Sequence, residues 1–461
     1  MNELDLRARV KSIIGDLTTH LEDLVSIPSV YSPAPDDLER VRHAADTIKT
    51  LLQGYGLTDA HLIELGAKDA PLVYATHTVS PKAPTVLLYA HYDVVRPDKS
   101  WPDAFTPHID KATRRMSGRG AADDKSGIVM HLGAAHAFNG DIPVNVKIVL
   151  EGEEESGLDV LEKYVPAHRD LFTADLIVVA DTGNYRLGKP TLTTSLRGMA
   201  EVDVTVTTLD APKHSGMYGG PVPDAFIVLA GLISQLHDAD GNVAVPGLDE
   251  NTWTGHEPTE EEFRADAGVK EGVKLMGTDS LSSRLYSKPS INVVGLDGPP
   301  PWSQPINQLQ GTAKARISMR IAPQQDPEKA VKHLSEYLQR PHFNPWNAIV
   351  KVEPAGTGEG FTADTSTRGY KAAAEALEYA YPGEKTAFAG QGGSIPLVSV
   401  VQRINPGASV LLLGCEEPLC RIHASHESVS LDELESMTLA QCRLLQQLGR
   451  MTAAELTDSG S

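Results

Sequence analysis

The chain has 461 residues, with 41 Lys and Arg against 61 Asp and Glu and a formal net charge of −20. Nucleic acid and anionic membranes both require a basic face, so this balance argues against either as a partner. The length exceeds one core of ordinary size and predicts two domains, or one large domain carrying an insertion, with 41% apolar residues to fill them.

In chain order, 6–26 reads as an amphipathic helix broken by Ile27-Pro28-Ser29, and 36–52 shows helical periodicity with Gly54 and Gly56 as stop signals. From Val73 the pattern alternates: strands over 73–78, 85–90, 144–150 and 176–180, helices near 126–138 and 158–164. That alternation predicts an α/β layer. After Arg197 it changes. Residues 200–206 alternate strictly between apolar and polar, as a half-solvated strand does. A helix is expected near 223–236, a polar stretch occupies 248–274, strands follow over 291–294 and 313–321, and a helix over 327–339. Strands with helices on one side predict a small α+β unit inserted into the first. The α/β pattern resumes with a helix near 367–381, a strand over 409–414 and a helix over 431–448; the polar end, 452–461, is expected to fray.

The start, Met1-Asn2-Glu3-Leu4-Asp5-Leu6-Arg7, lacks a basic region followed by an apolar one, and no apolar run approaches the ~20 residues of a spanning helix. Cys415, Cys420 and Cys442 are too few for a disulfide framework. The expectation is a cytoplasmic protein with no membrane partner.

Four apolar strands end in metal-type side chains. The 85–90 strand runs into His91 and Asp93, the 144–150 strand into Glu151, Glu153, Glu154 and Glu155, the 176–180 strand into Asp181, and the 409–414 strand is followed by His423 and His426. Open α/β sheets bind ligands beyond the carboxyl ends of their strands, and imidazoles with hard oxygens there point to a metal-assisted hydrolase. His91-Tyr92-Asp93 supplies an imidazole and a carboxylate to orient it; the plainer alternative is a polar pair at a strand end. Gly118 to Gly127 is a glycine-rich loop entering a helix. It does not fit the phosphate-binding pattern, and Asp123 with Asp124 would repel a phosphate. A carboxylate presented to cations fits better, with a helix cap as the alternative. In the acid run, alternate residues of an extended segment face opposite ways, so one of Glu154 and Glu155 can hold a metal while its neighbour takes a proton from water. Asp181 before Thr182-Gly183 can equally be a turn-former. His214, in Lys213-His214-Ser215-Gly216, can stabilise an oxyanion or be structural. Cys415, Cys420 and His423 lack the second half of a structural zinc site.

Together and in this order these motifs resemble the co-catalytic di-zinc peptidase and amidase family, which includes carnosinase-like dipeptidases, glutamate carboxypeptidase, aminoacylase, acetylornithine deacetylase and succinyl-diaminopimelate desuccinylase. The carnosinase-like branch is the most similar, through Tyr89 to Val94, Gly118 to Lys125, Leu150 to Gly157, His214 to Gly220 and Gly392-Gly393-Ser394-Ile395-Pro396. The resemblance implies a zinc-peptidase-like catalytic domain (1–197 and 358–461), with a mixed central sheet flanked by helices, and an inserted α+β lid and dimerisation domain (198–357). It implies two divalent ions per subunit, zinc first, with manganese or cobalt compatible. His91 and Asp181 would hold one, Glu155 and His423 the other, and Asp123 would bridge them. Glu154 would be the general base, and Asp93 would orient His91. His214 and Asn307 would reach the substrate from the partner subunit of a homodimer, Arg320 would grip the substrate carboxylate, and Gly393 and Ser394 would line the pocket.

Two positions depart from the family pattern. Where the family often has Asn, three residues after the last ligand, this chain has His426, which leaves His423 as the ligand and His426 as the fallback. Gln391 stands where an acid often helps hold the substrate's free amine. The expected activity is hydrolysis of an amide bond in a small substrate with a free carboxylate, a dipeptide foremost, with an N-acyl-amino-acid deacylase or carboxypeptidase as the alternative.

Overall fold

A computed structural model describes residues 3–393 and 395–457. Ser394 lies outside the described residues, as does 458–461 of the expected frayed tail. The part of that tail that is described, Ala453–Thr457, is helical, which corrects the expectation of fraying there. The chain forms two compact units, one of 1–194, 363–389 and 396–461, the other of 195–362 and 390–395. The sequence reading placed its cuts at 197/198 and 357/358 and did not separate the short 390–395 segment.

The first unit is built on a mixed sheet. Its order is His61–Ile63, Leu72–His77, Asn145–Glu151, Thr85–His91, Leu176–Val179, Ser409–Leu412 and Thr191–Leu196. The four middle strands are mutually parallel, His91 standing opposite Glu151, Tyr89 opposite Val179, and Leu412 opposite Val179. Their side chains are buried almost throughout, as strands covered on both faces require. Parallel strands bring their carboxyl ends to one edge, so the residues that follow them converge.

The helices obey the same arithmetic. In Glu3–Val25, Leu6, Val10, Ile13, Leu17, Leu21 and Leu24 are buried at spacings of three and four, one stripe of a helix. Lys125–Ala137 is buried at every position but His136, so it is a core helix rather than an amphipathic one. It packs against Glu3–Val25 and Leu431–Leu448.

The loops beyond the parallel strands are drawn together by glycine. A Cβ at Gly414 would lie 2.0 Å from the Ala180 carbonyl oxygen and 2.2 Å from that of Thr182. Both contacts are with backbone that cannot rotate away. Gly414→Ala is expected to cost roughly 3 kcal/mol or more, read as a lower urea midpoint at unchanged slope.

In the second unit four antiparallel strands run in the order Ser290–Asp297, Thr312–Ile321, Gly198–Thr207 and Ile349–Gly358. Ala200, Val202, Val204 and Val206 alternate inward, and helices Ala225–Ile233 and Pro327–Leu338 pack on that sheet around one core. Asp224 and Asp326 cap those helices, accepting hydrogen bonds from Phe226 and Ile227, and from Lys329. The strand Ile349–Gly358 was not expected from sequence. It carries Pro354 at a register shift between Pro354 and Gly356 on an edge of the sheet, where a missing N–H is tolerated. The polar 248–274 stretch, to which the sequence reading assigned no element, holds a helix over Glu260–Asp266 with a Thr259–Glu262 capping box.

Candidate metal centre

The first unit brings five of the expected ligands together. His91 ends its strand with Nε2 at 2.9 Å from Asp123 Oδ1 and 3.7 Å from Asp181 Oδ1. His423 Nε2 stands 3.0 Å from Asp123 Oδ2 and 2.9 Å from Glu155 Oε1. Two groups follow, His91–Asp123–Asp181 and Asp123–Glu155–His423, and in each the ligand atoms lie within 4.8 Å of one another. Asp123 belongs to both, one carboxylate oxygen facing each imidazole.

The second nitrogen of His91 is also fixed. Nδ1 lies 3.1 Å from the Asp93 carbonyl oxygen and 3.5 Å from Asp93 Oδ1. Donation there leaves Nε2 free to act as an acceptor or ligand. Asp93, fully buried, also accepts hydrogen bonds from the backbone N–H groups of Glu154 at 3.1 Å and Glu155 at 3.0 Å. Asp93 thus orients a candidate ligand chiefly through its backbone carbonyl, while its carboxylate holds the turn that presents Glu154 and Glu155.

The structure divides the acid run. Glu151 accepts a 2.6 Å hydrogen bond from the Tyr89 hydroxyl, and Glu153 one from the Ala70 N–H; both are buried. Glu154 and Glu155 begin the Glu154–Ser156 turn, where Glu155 meets His423 and Glu154 feels the charges of Asp181 and His91. His426 is in neither group. Its ring lies 5.5 Å from that of Trp101, and its φ of 63° is a left-handed conformation that His, like Asn, adopts more readily than most residues. The three cysteines are unpaired and buried, and Cys420 lies against Glu417 and Arg115.

The electrostatics suit cations. Burial and neighbouring carboxylates raise the pKa of Asp124, Glu154, Glu155, Asp181 and Glu416. Burial opposes ionisation of Asp123 as well, but hydrogen bonds from His423 and His91 hold it below the usual carboxylate range. Those to Asp123 and Glu155 push His423 up to about 10. Six buried or half-buried carboxylates surround two imidazoles. Carboxylate and imidazole donors fit zinc, manganese or cobalt, and divalent charge is what such a cluster lacks.

Glu427 was missed from sequence. It is fully buried, takes a 2.7 Å ion pair from Arg119, and accepts hydrogen bonds from the N–H groups of Gly120, Ala122 and Asp123 at 3.1, 2.9 and 3.1 Å. It fixes the backbone that carries Asp123. The local signal was an acid four residues after His423, directly before the short strand Ser428–Ser430. Asp124, also not singled out, accepts from the His91 N–H at 3.2 Å.

The remaining expected residues stand in the second unit. His214 is exposed, its Nδ1 accepting from the Gly216 N–H at 3.1 Å, and lies opposite Gln308 in a two-stranded pairing. The Ser215 N–H donates to the carbonyl of Asn307, which is exposed too. Arg320 is half-buried on the Thr312–Ile321 strand. Gln391 and Gly393 lie on the 390–395 segment; Ser394 falls outside the described residues.

The family model of peptidase family M20/M25/M40 matches residues 87–447. A cysteinylglycine-S-conjugate dipeptidase of Corynebacterium striatum is 34% identical over 440 residues, covering 93% of this chain and 95% of that protein. A β-Ala-His dipeptidase of Mus musculus is 26% identical, covering 80% and 79%. Among solved structures, the di-peptidase Dug1p of Saccharomyces cerevisiae superposes with a TM-score of 0.84 at 24% identity, covering 97% of this chain and 99% of that one.

Proposed function

The chain belongs to peptidase family M20/M25/M40, and from that premise we propose that it is a metal-dependent dipeptidase. Its substrate class is a small molecule with a free amine, one amide bond and a free carboxylate, of the kind named for its relatives, cysteinylglycine conjugates and β-Ala-His. The observation that carries this reading is Asp123, whose two oxygens face the imidazoles of two separate ligand groups.

His91 and Asp181 would hold one ion, Glu155 and His423 the other, with Asp123 shared. When bound, such a pair makes water a nucleophile near neutral pH and polarises the scissile carbonyl. Glu154 takes the proton of the attacking water and returns it to the leaving amine. Asp93 keeps the His91 ring in register and the Glu154–Glu155 turn in place. Arg320 would take the substrate carboxylate, and Gly393 would line that subsite. Gln391 is neutral, but its Oε1 is buried without a hydrogen-bond partner among the described residues. An acceptor in that condition can take an ammonium N–H, which favours a free-amine substrate over an acylated one.

The second unit is the lid and dimerisation domain in this reading. Val293, Val294 and Leu296 are exposed on the edge strand Ser290–Asp297, an apolar edge that a second copy would cover. His214 and Asn307 would then reach the substrate held by the other subunit. Zinc is the proposed native ion. Three unpaired cysteines favour the cytoplasm, and no helix among the described residues is long and apolar enough to cross a membrane.

The test is a panel of free dipeptides against N-acyl amino acids, with and without chelator. Free dipeptides are expected to be preferred by roughly a hundredfold or more in kcat/KM, with activity lost on chelation and regained with added metal. Preference for N-acyl amino acids would replace the dipeptidase by a deacylase.

A further inference from the structure

Arg197 carries a charge that no carboxylate among the described residues pairs with. It sits between strands Thr191–Leu196 and Gly198–Thr207, and only 8% of it is exposed. Its Nη1 donates to Ser290 Oγ at 2.9 Å and reaches the carbonyls of Lys288 and Arg284 at 3.4 and 3.5 Å. Its Nε–H is buried with no hydrogen-bond partner among the described residues. All of these acceptors are neutral, and among the described residues no carboxylate pairs with this guanidinium.

A second cation stands beside it. Ser290, which holds Nη1, lies directly opposite Arg320 across the Ser290–Asp297 and Thr312–Ile321 pair, and opposed residues share a face of a sheet. Burial and the Arg320 charge together push Arg197 down to about 10. Arg320 has Glu201 in its field; Arg197 has the Tyr286 hydroxyl. Backbone of Gln391 and Gly392 lies on Arg197. The Arg197 N–H donates to the Gln391 carbonyl at 3.3 Å, and a Cβ at Gly392 would stand 3.0 Å from Nη2. Buried charges are normally paired, because an uncompensated one costs free energy until a counter-ion arrives.

We propose that Arg197 is a second cation of the subsite for the substrate's free carboxylate, adding its charge to that of Arg320 and seating the Gln391–Gly392 backbone. The inference rests on the dipeptidase reading above. Arg197 acts here as a positioning and charge-supplying residue, so its loss must change selectivity and not only rate.

The experiment compares alanylglycine with alanylglycinamide on the full-length, metal-loaded enzyme. In Arg197→Gln the ratio of kcat/KM for acid over amide is expected to fall by about tenfold or more, mainly through the KM of the acid. Arg197→Lys, which keeps the charge, should hold the ratio within about threefold of wild type. Damage to packing alone would lower both substrates together and leave the ratio in place, and that result overturns the proposal. If Arg197→Gln does not fold, Arg197→Met gives the same readout. A wild-type enzyme that cleaves neither compound removes the dipeptidase reading itself, which is a separate result from an unchanged ratio.

Discussion

Glu154→Gln is expected to lower kcat by about a thousandfold or more while both metal ions stay bound. The substitution removes a proton acceptor and little else. Among the described residues the Glu154 carboxylate has no hydrogen-bond donor of its own; the residue is held through its backbone N–H, which donates to Asp93 at 3.1 Å and survives the change. Its environment already favours proton uptake, since burial and the Asp181 charge raise its pKa. Neither of the two ligand groups contains it. Metal content by elemental analysis and kcat on a dipeptide are the two measurements. Undiminished turnover would remove Glu154 as the base, and loss of one ion with turnover would make it a ligand.

The division of labour between Glu154 and Glu155 shows where sequence reading stops. The parallel strands were legible because each is dominated by apolar residues, and His91, Asp181 and the acid run mark where three of them end. Which acids face the site was not. Glu151 and Glu153 are spent on Tyr89 and Ala70, partners 62 and 83 residues away in the chain. Periodicity carries no trace of such pairings. Glu427 escaped for the same reason: its role is to collect N–H groups from a loop some 300 residues earlier. Arg197 read as a boundary between two patterns, and only the folded chain shows that its charge is buried beside Arg320. The strand Ile349–Gly358 was hidden by its own Pro354. In each case tertiary packing, rather than local propensity, decided the outcome.

Asp123→Asn is expected to have the other large effect, a fall of at least about a thousandfold in kcat/KM with fewer than two ions retained per subunit. Asp123 Oδ1 faces His91 and Oδ2 faces His423. Replacing one oxygen by an NH2 group therefore turns a donor hydrogen toward one imidazole, whichever way the amide is flipped. The backbone bond from the Asp123 N–H to Glu427 is unaffected, so the loop itself should persist. Stability offers a readout independent of catalysis. A ligand that binds only the folded state stabilises it by about 4 kcal/mol at a thousandfold excess over its Kd. Wild-type protein stripped with chelator should thus gain several degrees in Tm when zinc is restored, whereas Asp123→Asn should gain much less under the same conditions. The comparison is made within each variant, so any cost of the substitution to the metal-free fold cancels. An Asp123→Asn protein that binds two ions and shows the full wild-type increment would mean that the two ligand groups do not depend on a shared carboxylate, and the two-ion centre would have to be rebuilt without it.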